Sequence, residues 1–193
     1  MDREYVNAHG VDDDFVAWLI AEDGDGDRDR LQLFETARRR LGLETSAQQP
    51  VEQYGALFGA QARRTAEVLD ALGRARSAGW HIAVVTNGHA VQRVKISAAG
   101  LDGLVDAVRV SEIEGRCKPD PWLLELATRR AGVTLEGAWM IGDSAEADVG
   151  VAHAAGLDSV WLHHGRPWPL AEDRPTAVAG SSAEAVDRVL AHG

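Results

Sequence analysis

Cysteine and long apolar runs are the two features that this sequence most clearly lacks. Cys117 is the only cysteine, so no internal disulfide can form and nothing indicates an oxidising compartment. The segment MDREYVNAHG has no apolar core of the signal-peptide kind, and no stretch is apolar for long enough to cross a bilayer. We therefore expect a cytoplasmic protein with no membrane partner.

Positive charge is also scarce. Lysine and arginine number 20 against 30 aspartates and glutamates, which gives a formal net charge of -10 at pH 7. This excess of negative charge repels nucleic acids and anionic membranes, so we expect no nucleic-acid partner. A small anionic substrate is still compatible with this net negative charge if a local cation and a metal ion offset it. The 193 residues suffice for one core domain, with or without a small appendage.

Short apolar runs alternate with amphipathic stretches from about His81 onward. The runs predict buried strands at residues 81–85, 107–111, 138–142 and 159–163. Apolar residues three and four apart predict four helices. They run from after Thr65 to about Gly79, from about Val91 to Gly100, from Pro121 to about Gly132, and from Ala147 to about Gly156. This alternation favours an α/β fold, a Rossmann-type parallel sheet with helices on both faces, over residues 65–193.

The first third of the chain has a different pattern, without a convincing strand. Three groups share helical faces: Phe15, Trp18 and Leu19; Leu31, Phe34 and Leu41; and Tyr54, Leu57 and Phe58. Residues 1–64 are therefore predicted to form a small helical segment. At the other end, residues 175–182 are predicted to be a loop before a last short helix.

Thr86, Asn87 and Gly88 follow the first predicted strand of the core. Ligands bind at the carboxyl ends of parallel strands, so the Thr86 hydroxyl and the Asn87 amide could hold a phosphoryl oxygen. Taken alone, a strand-ending turn is the simpler interpretation, because Asn-Gly is a common turn pair.

Lys118 lies in the stretch RCKPDP, where two prolines stiffen the chain just before a helix. A lysine held there can neutralise an attacking carboxylate and the phosphoryl oxygens, although most loop lysines are merely solvated. Neighbouring Cys117 has no recognisable base beside it and is given no role.

The stretch MIGDSAEAD is the most specific of the three. Asp143 ends a predicted strand and Asp148 follows five residues later. The two carboxylates are expected to lie close together and to offer the hard oxygen ligands that suit Mg²⁺. An aspartate that caps the next helix is the alternative, but it leaves the second carboxylate unexplained.

In this order, TNG, KPD and GDSAEAD resemble the last three motifs of the haloacid dehalogenase superfamily of phosphohydrolases, over roughly residues 65–165. The resemblance implies that Thr86 and its neighbours Asn87 and Gly88 bind the phosphoryl group. It also implies that Lys118 stabilises the nucleophile and transition state, that Asp143 ligates Mg²⁺, and that Asp148 orients the metal's water or Lys118. Residues 1–64 are similar to the helical cap of such enzymes.

Family members attack phosphorus with an aspartate of a D-x-D-x-T/V motif, whose second aspartate is the general acid and base. In IAEDGDGD, Asp23 and Asp25 have this spacing, but charged residues surround them where apolar ones are expected. Crowded like charges disfavour an ionised nucleophile. A polar turn within the helical segment is therefore the preferred interpretation, and a first strand would then be missing from the chain or lost from the protein.

Two functions are compatible with these residues. The first is a Mg²⁺-dependent phosphatase that acts on a small phosphorylated metabolite. The second is a noncatalytic protein of the same fold that binds a phosphorylated ligand or a protein partner through Thr86, Lys118 and Asp143. An incomplete sheet would expose strand edges that could pair with a second copy, so a homodimer is possible. His163, His164 and Trp168 follow the last predicted strand and are predicted to form a packed aromatic loop.

Overall fold

The computed structural model describes residues 13–23, 28, 30–42 and 62–192. The chain divides into two compact units, Met1–Phe58 and Gly59–Gly193. The division at residues 64 and 65 proposed from the sequence stays a prediction. Within the described residues, no helix combines the length and apolar character that crossing a membrane requires.

In the first unit, the described residues include two helices, α1 (Asp13–Asp23) and α2 (Arg30–Arg40). Both were expected from the apolar spacing. Their buried faces form a small core of Phe15, Leu19, Leu33 and Ala37, against which Trp18 packs. The third predicted helix, around Tyr54, Leu57 and Phe58, falls outside the described residues.

In the second unit, helices and parallel strands alternate, as the sequence predicts. The strands are β1 (Ala83–Thr86), β2 (Ala107–Val110), β3 (Trp139–Gly142), β4 (Asp158–Leu162) and β5 (Ala177–Ala179). The helices are α3 (Ala66–Ser77), α4 (Val91–Ala98), α5 (Ser111–Glu114), α6 (Trp122–Ala131), α7 (Gly150–Ala155) and α8 (Ser182–Leu190). A single π-helical turn, Ala145–Val149, precedes α7.

The helix ends carry the expected signals. The Thr65 side chain caps α3 by accepting a hydrogen bond from the Val68 amide at 3.4 Å. Pro121 opens α6, and Gly132 ends it in the left-handed conformation. The helix predicted from Ala147 to Ala155 is present and ends at Gly156, but its first turn is π-helical and begins at Ala145. The prediction of a loop over residues 175–182 was wrong, since β5 lies within it.

Among the described residues, the strands form two parallel ladders. β1 pairs with β2, Ala83 lying opposite Ala107, while β4 lies between β3 and β5. α6 packs on β1 and β2, and α8 packs on β3, β4 and β5 and against α3. The core of the second ladder consists of Val160, Leu162, Ala179, Ala185 and Val189.

Asp106 fixes the start of β1 against the start of β2. Its carboxylate accepts hydrogen bonds from the Ile82 amide at 2.7 Å and from Arg76 at 3.1 Å, and its own amide donates to the Ile82 carbonyl at 2.7 Å. The bond from the Ile82 amide, followed by the nearby Arg76 guanidinium, lowers the pKa of the Asp106 carboxyl below its usual value, against the opposing effect of burial.

Candidate active site

A buried ion pair joins the carboxyl end of β1 to the turn after β3. Nζ of Lys118 lies 2.5 Å from Oδ1 of Asp148, and both side chains are 7% exposed. The same Nζ donates a hydrogen bond of 2.8 Å to the carbonyl oxygen of Val85, near the end of β1. The structure therefore brings together two of the residues that the sequence singles out, although they lie thirty positions apart.

Asn87 holds the backbone of Lys118 in place. Its side-chain Nδ2 donates to the Lys118 carbonyl at 2.9 Å, and its Oδ1 accepts from the Lys118 amide at 2.8 Å. This reciprocal pair fixes where the lysine leaves the main chain. Sequence reasoning missed this role and assigned Asn87 only to the phosphate. Phosphate binding by Asn87 stays a prediction. It now concerns the backbone amide of Asn87, because the side chain is hydrogen-bonded to Lys118.

Thr86 and Gly88 lie on either side of Asn87 at the end of β1. The Thr86 hydroxyl is half-buried and donates to the Asn87 carbonyl at 3.1 Å. The Gly88 amide donates to Oγ of Ser111 at 2.9 Å, and that hydroxyl donates to the Gly88 carbonyl at 3.2 Å. Ser111, directly after β2, is a second residue that sequence reasoning missed. It makes the turn rigid by satisfying both backbone groups of the glycine.

Asp143 follows the last residue of β3, and its carboxylate is exposed. The side chain is 61% exposed, and its Oδ2 lies 4.0 Å from both Nε2 of His164 and Nη2 of Arg166. Its carbonyl oxygen accepts hydrogen bonds from the Trp161 indole at 2.9 Å and from Arg166 at 3.1 Å. The backbone of Asp143 is thus anchored, while its carboxylate stays accessible to a ligand.

The loop after β4 supplies these partners of Asp143. Trp168 packs edge-on against Trp161, with ring centroids 4.9 Å apart, and the His163 ring lies 6.2 Å from Trp161. The aromatic packing expected for this loop is present. The approach of His164 and Arg166 to Asp143 was not expected, and no spacing in the sequence indicates it.

Both carboxylate oxygens of Asp148 have partners within the protein, unlike the exposed carboxylate of Asp143. One carboxylate oxygen pairs with Lys118, and the other accepts a 3.0 Å hydrogen bond from the Ser144 amide. A Cβ added at Gly142 would overlap this carboxylate, so the approach of Asp148 to β3 requires glycine there. The geometry suits Asp148 to orienting Lys118 and leaves no carboxylate oxygen unused by the protein.

The donor set around Asp143 can be compared with the needs of Mg²⁺. Magnesium keeps several waters and is usually held by one or two carboxylates together with substrate phosphate. Asp143 supplies one hard, accessible oxygen ligand of this kind. Within the described part of the chain, no three His, Cys, Asp or Glu side chains are grouped as a metal site. The residues present therefore fit Mg²⁺ as a single-carboxylate site that water and phosphate must complete.

The remaining candidate residues lie elsewhere. Asp23 is the last residue of α1, in the first unit, and so ends a helix and not a strand. Asp25 falls outside the described residues. The role of either as nucleophile or general acid stays a prediction. Cys117 is a free, exposed cysteine beside Lys118 in the chain.

Comparison with known proteins identifies the family of the chain. A family model described as haloacid dehalogenase-like hydrolase matches residues 9–156. A phosphoserine phosphatase from Thermus thermophilus is 40% identical over 95 residues, which are 49% of this chain and 38% of that enzyme. The chain spans between 38% and 54% of the length of the curated relatives that it matches.

Solved structures share the fold at low sequence identity. A HAD phosphatase from Thermococcus onnurineus has a TM-score of 0.64 and 21% identity, with 96% of this chain and 84% of that chain covered. The protein YfnB from Bacillus subtilis, solved with bound magnesium, has a TM-score of 0.72 and 20% identity, with 98% and 87% covered. Since the family model covers more than half of the sequence, the chain belongs to the haloacid dehalogenase-like hydrolases.

Proposed function

We propose that this chain forms the phosphate-handling part of a Mg²⁺-dependent phosphatase that acts on a small phosphomonoester. The observation that carries the proposal is the Lys118–Asp148 pair, 2.5 Å apart, which links the end of β1, where Thr86 lies, to the turn that carries Asp143. The similarity to a phosphoserine phosphatase supports the phosphomonoester class. The overall charge of -10 means that an anionic substrate depends on this local cation.

Lys118 is positioned to bind an anion. A lysine ammonium has three N–H donors, and Val85 and Asp148 accept two of them. The third remains for a phosphoryl oxygen. Because Asn87 fixes its backbone and Asp148 its head group, Lys118 loses little side-chain entropy when an anion binds.

Thr86 and the backbone of the turn after β1 would hold the same phosphoryl group from the other side. Ser111 keeps this turn rigid, and the Thr86 hydroxyl would turn from the Asn87 carbonyl to donate to the phosphoryl group. Asp143 would hold Mg²⁺ through its carboxylate. When bound, the ion would neutralise phosphate charge in the transition state.

The test is hydrolysis of p-nitrophenyl phosphate by the purified chain with Mg²⁺ and with excess EDTA. We expect hydrolysis that requires Mg²⁺ and falls by at least about a hundredfold in Asp143→Asn. Asp173→Asn is the matched control, because Asp173 is an exposed aspartate that pairs with His153 at 3.1 Å, away from Lys118. Hydrolysis that Asp143→Asn leaves unchanged would refute the assignment.

A noncatalytic role is the second candidate, and one observation favours it. Of the two aspartates with nucleophile spacing, the one that the structure describes, Asp23, ends a helix in the other unit. In this role the chain binds inorganic phosphate in a Mg²⁺-dependent way without turnover, which calorimetry measures directly. Turnover by the same preparation eliminates this alternative.

A further inference from the structure

The turn that follows β4, residues 163–166, lies beside Asp143. The amide of its last residue donates to the carbonyl of its first at 2.8 Å, which closes the turn. β3 and β4 are parallel, with Gly142 opposite Trp161, so the residues just beyond the two strands are neighbours. The turn therefore stands at the carboxyl edge of this ladder, which is where ligands bind in parallel sheets.

The backbone of this turn is left-handed at both central positions. The φ angle is 46° at His164 and 78° at Gly165. Glycine adopts this conformation freely, and Asn-Gly is the pair that such turns prefer. Histidine is disfavoured there relative to both, so the needs of the turn do not explain the imidazole. A side chain kept in a disfavoured backbone conformation points to a function of the side chain itself.

The His164 ring is exposed and lies beside the carboxylate of Asp143. Its side chain is 53% exposed, and Nε2 is 4.0 Å from Oδ2 of Asp143. This distance allows electrostatic attraction but is too long for a hydrogen bond. In the part of the chain that the structure describes, the ring has no hydrogen-bond partner. The ring N–H is thus available to an acceptor that arrives from solvent.

Arg166 brings a permanent positive charge to the same place. Its Nη2 is also 4.0 Å from Oδ2 of Asp143 and donates to the Asp143 carbonyl at 3.1 Å. Its Nε donates to the His163 carbonyl at 3.3 Å, so the guanidinium is held across the ends of β3 and β4. The side chain is 41% exposed, and a ligand can reach its charge. Because both nitrogens approach one oxygen, His164 and Arg166 face a common point.

We propose that His164 and Arg166 bind a carboxylate on the organic part of the substrate, so that the preferred substrates are phosphomonoesters of hydroxy acids. The inference rests on the proposed phosphatase function, because the phosphate site supplies the first anchor. An imidazole N–H and a guanidinium N–H match the two oxygens of a carboxylate. The histidine donates in either charge state, since a neutral imidazole keeps one N–H.

A carboxylate fits this place better than a second phosphate does. Asp143 and the net charge of -10 oppose any anion here, and the repulsion grows with the charge of the ligand. A carboxylate brings one negative charge, whereas a phosphate monoester brings nearly two. Mg²⁺ held by Asp143 would offset the charge of that aspartate, which leaves the attraction of Arg166 for the carboxylate.

The probes are 3-phosphoglycerate and glycerol 3-phosphate, two esters with the same three-carbon chain. They differ at the far end, where the first has a carboxylate and the second a hydroxymethyl group. Inorganic phosphate reports on the phosphate site alone. Calorimetric titration in excess Mg²⁺ measures the three affinities, and phosphate release is assayed separately. We expect 3-phosphoglycerate to bind about tenfold more tightly than glycerol 3-phosphate, as one charge-assisted hydrogen bond predicts.

His164→Gly is the decisive variant, because glycine keeps the left-handed turn and removes only the ring. It should reduce the preference for 3-phosphoglycerate from about tenfold to about two- or threefold. Arg166→Gln should do the same, whereas Arg166→Lys keeps the charge and should retain most of the preference. In each variant the affinity for inorganic phosphate should change less than the affinity for 3-phosphoglycerate.

His81→Gly is the matched control. His81 is 53% exposed, as His164 is, and lies 3.7 Å from the Asp106 carboxylate. It precedes β1, at the end of that strand opposite Thr86. His81→Gly should leave the preference unchanged, and circular dichroism verifies that every variant folds.

Equal binding of the two esters would overturn the carboxylate site and leave the phosphatase proposal intact. A tenfold preference that survives in both His164→Gly and Arg166→Gln would have the same meaning. A preference that the variants abolish, without any release of phosphate, supports the site and counts against the phosphatase. Failure to bind inorganic phosphate in the presence of Mg²⁺ removes the phosphate site, and this inference with it.

Discussion

Lys118 and Asp148 form a buried ion pair whose lysine nitrogen also bonds to the Val85 carbonyl, so a single side chain connects the two ladders of the second unit. Buried charges are costly unless each is paired and hydrogen-bonded. Here the aspartate is satisfied by the Ser144 amide as well as by the lysine. The pair therefore stabilises the junction of the two ladders, and the ligand binding proposed for Lys118 would depend on the same contacts.

The first prediction concerns this pair. Lys118→Met leaves Asp148 buried without its cation, and we expect the free energy of unfolding to fall by about 3–5 kcal/mol. Adding Asp148→Asn should recover part of the loss, because the unpaired charge is removed. Lys95→Met, at the other lysine of the chain, is the control and should change stability much less. Urea unfolding measures the unchanged chain, these three variants and Asp148→Asn alone, and additive effects of the two substitutions would contradict the coupling.

The second prediction concerns the close approach of Asp148 to β3. Gly142→Ala places a methyl group where the carboxylate lies, so the aspartate must move and its bond to Lys118 must lengthen. We expect a loss of about 1–3 kcal/mol in unfolding free energy and weaker phosphate binding. Gly73, at an exposed position of helix α3, has nothing within 4 Å of its added Cβ. Gly73→Ala should therefore stabilise the chain by about 0.5–1 kcal/mol, and the same loss in both variants would show the overlap to be unimportant.

The third prediction is a dependence of stability on pH through Asp106. Hydrogen bonds from Ile82 and Arg76 lower the pKa of this carboxyl in the folded chain. Its stabilisation is therefore complete above the ordinary aspartate value of about 4 and is lost as the pH falls through the lower folded value. Asp106→Asn should lower the free energy of unfolding at pH 7 by about 1–3 kcal/mol. It should also reduce the difference in stability between neutral and acidic solution.

The control for Asp106 is Asp102→Asn. Asp102 is exposed and pairs with Arg93 at 3.3 Å on the surface, where an ion pair contributes little. Chemical unfolding at a series of pH values gives both curves. An Asp106→Asn curve parallel to that of the unchanged chain would show that this carboxyl does not set the acid sensitivity.

The resemblance of the three ordered motifs to the haloacid dehalogenase family singled out Thr86, Lys118, Asp143 and Asp148, and the expected parallel sheet placed them at the carboxyl ends of its strands. It could not show how these residues are held. The roles of Asn87 and Ser111 depend on hydrogen bonds to segments more than twenty positions away. The period of apolar residues carries no information on such contacts.

Two elements of the fold were missed, each for a different reason. β5 is only three residues long, Ala177–Ala179, too short to show alternation. The π turn before α7 arises because the amides of Asp148 and Val149 both donate to the Ser144 carbonyl, while the Asp148 side chain is drawn to Lys118. The π turn thus coincides with a tertiary contact to a distant lysine, which helix propensity does not take into account.

The last prediction concerns competition between Arg166 and a metal ion for Asp143. Arg166 places a positive charge 4.0 Å from the Asp143 carboxylate, which would oppose a divalent cation there and favour an anionic substrate. Arg166→Gln should therefore tighten Mg²⁺ binding by about two- to fivefold, a modest change because the arginine is exposed to solvent, and should weaken phosphate binding. Arg174→Gln, at an exposed arginine further along the chain, is the control. Calorimetric titration with Mg²⁺ and with phosphate separates the two effects. Loss of Mg²⁺ binding in Arg166→Gln would mean that the arginine positions Asp143 for the metal and does not compete with the metal.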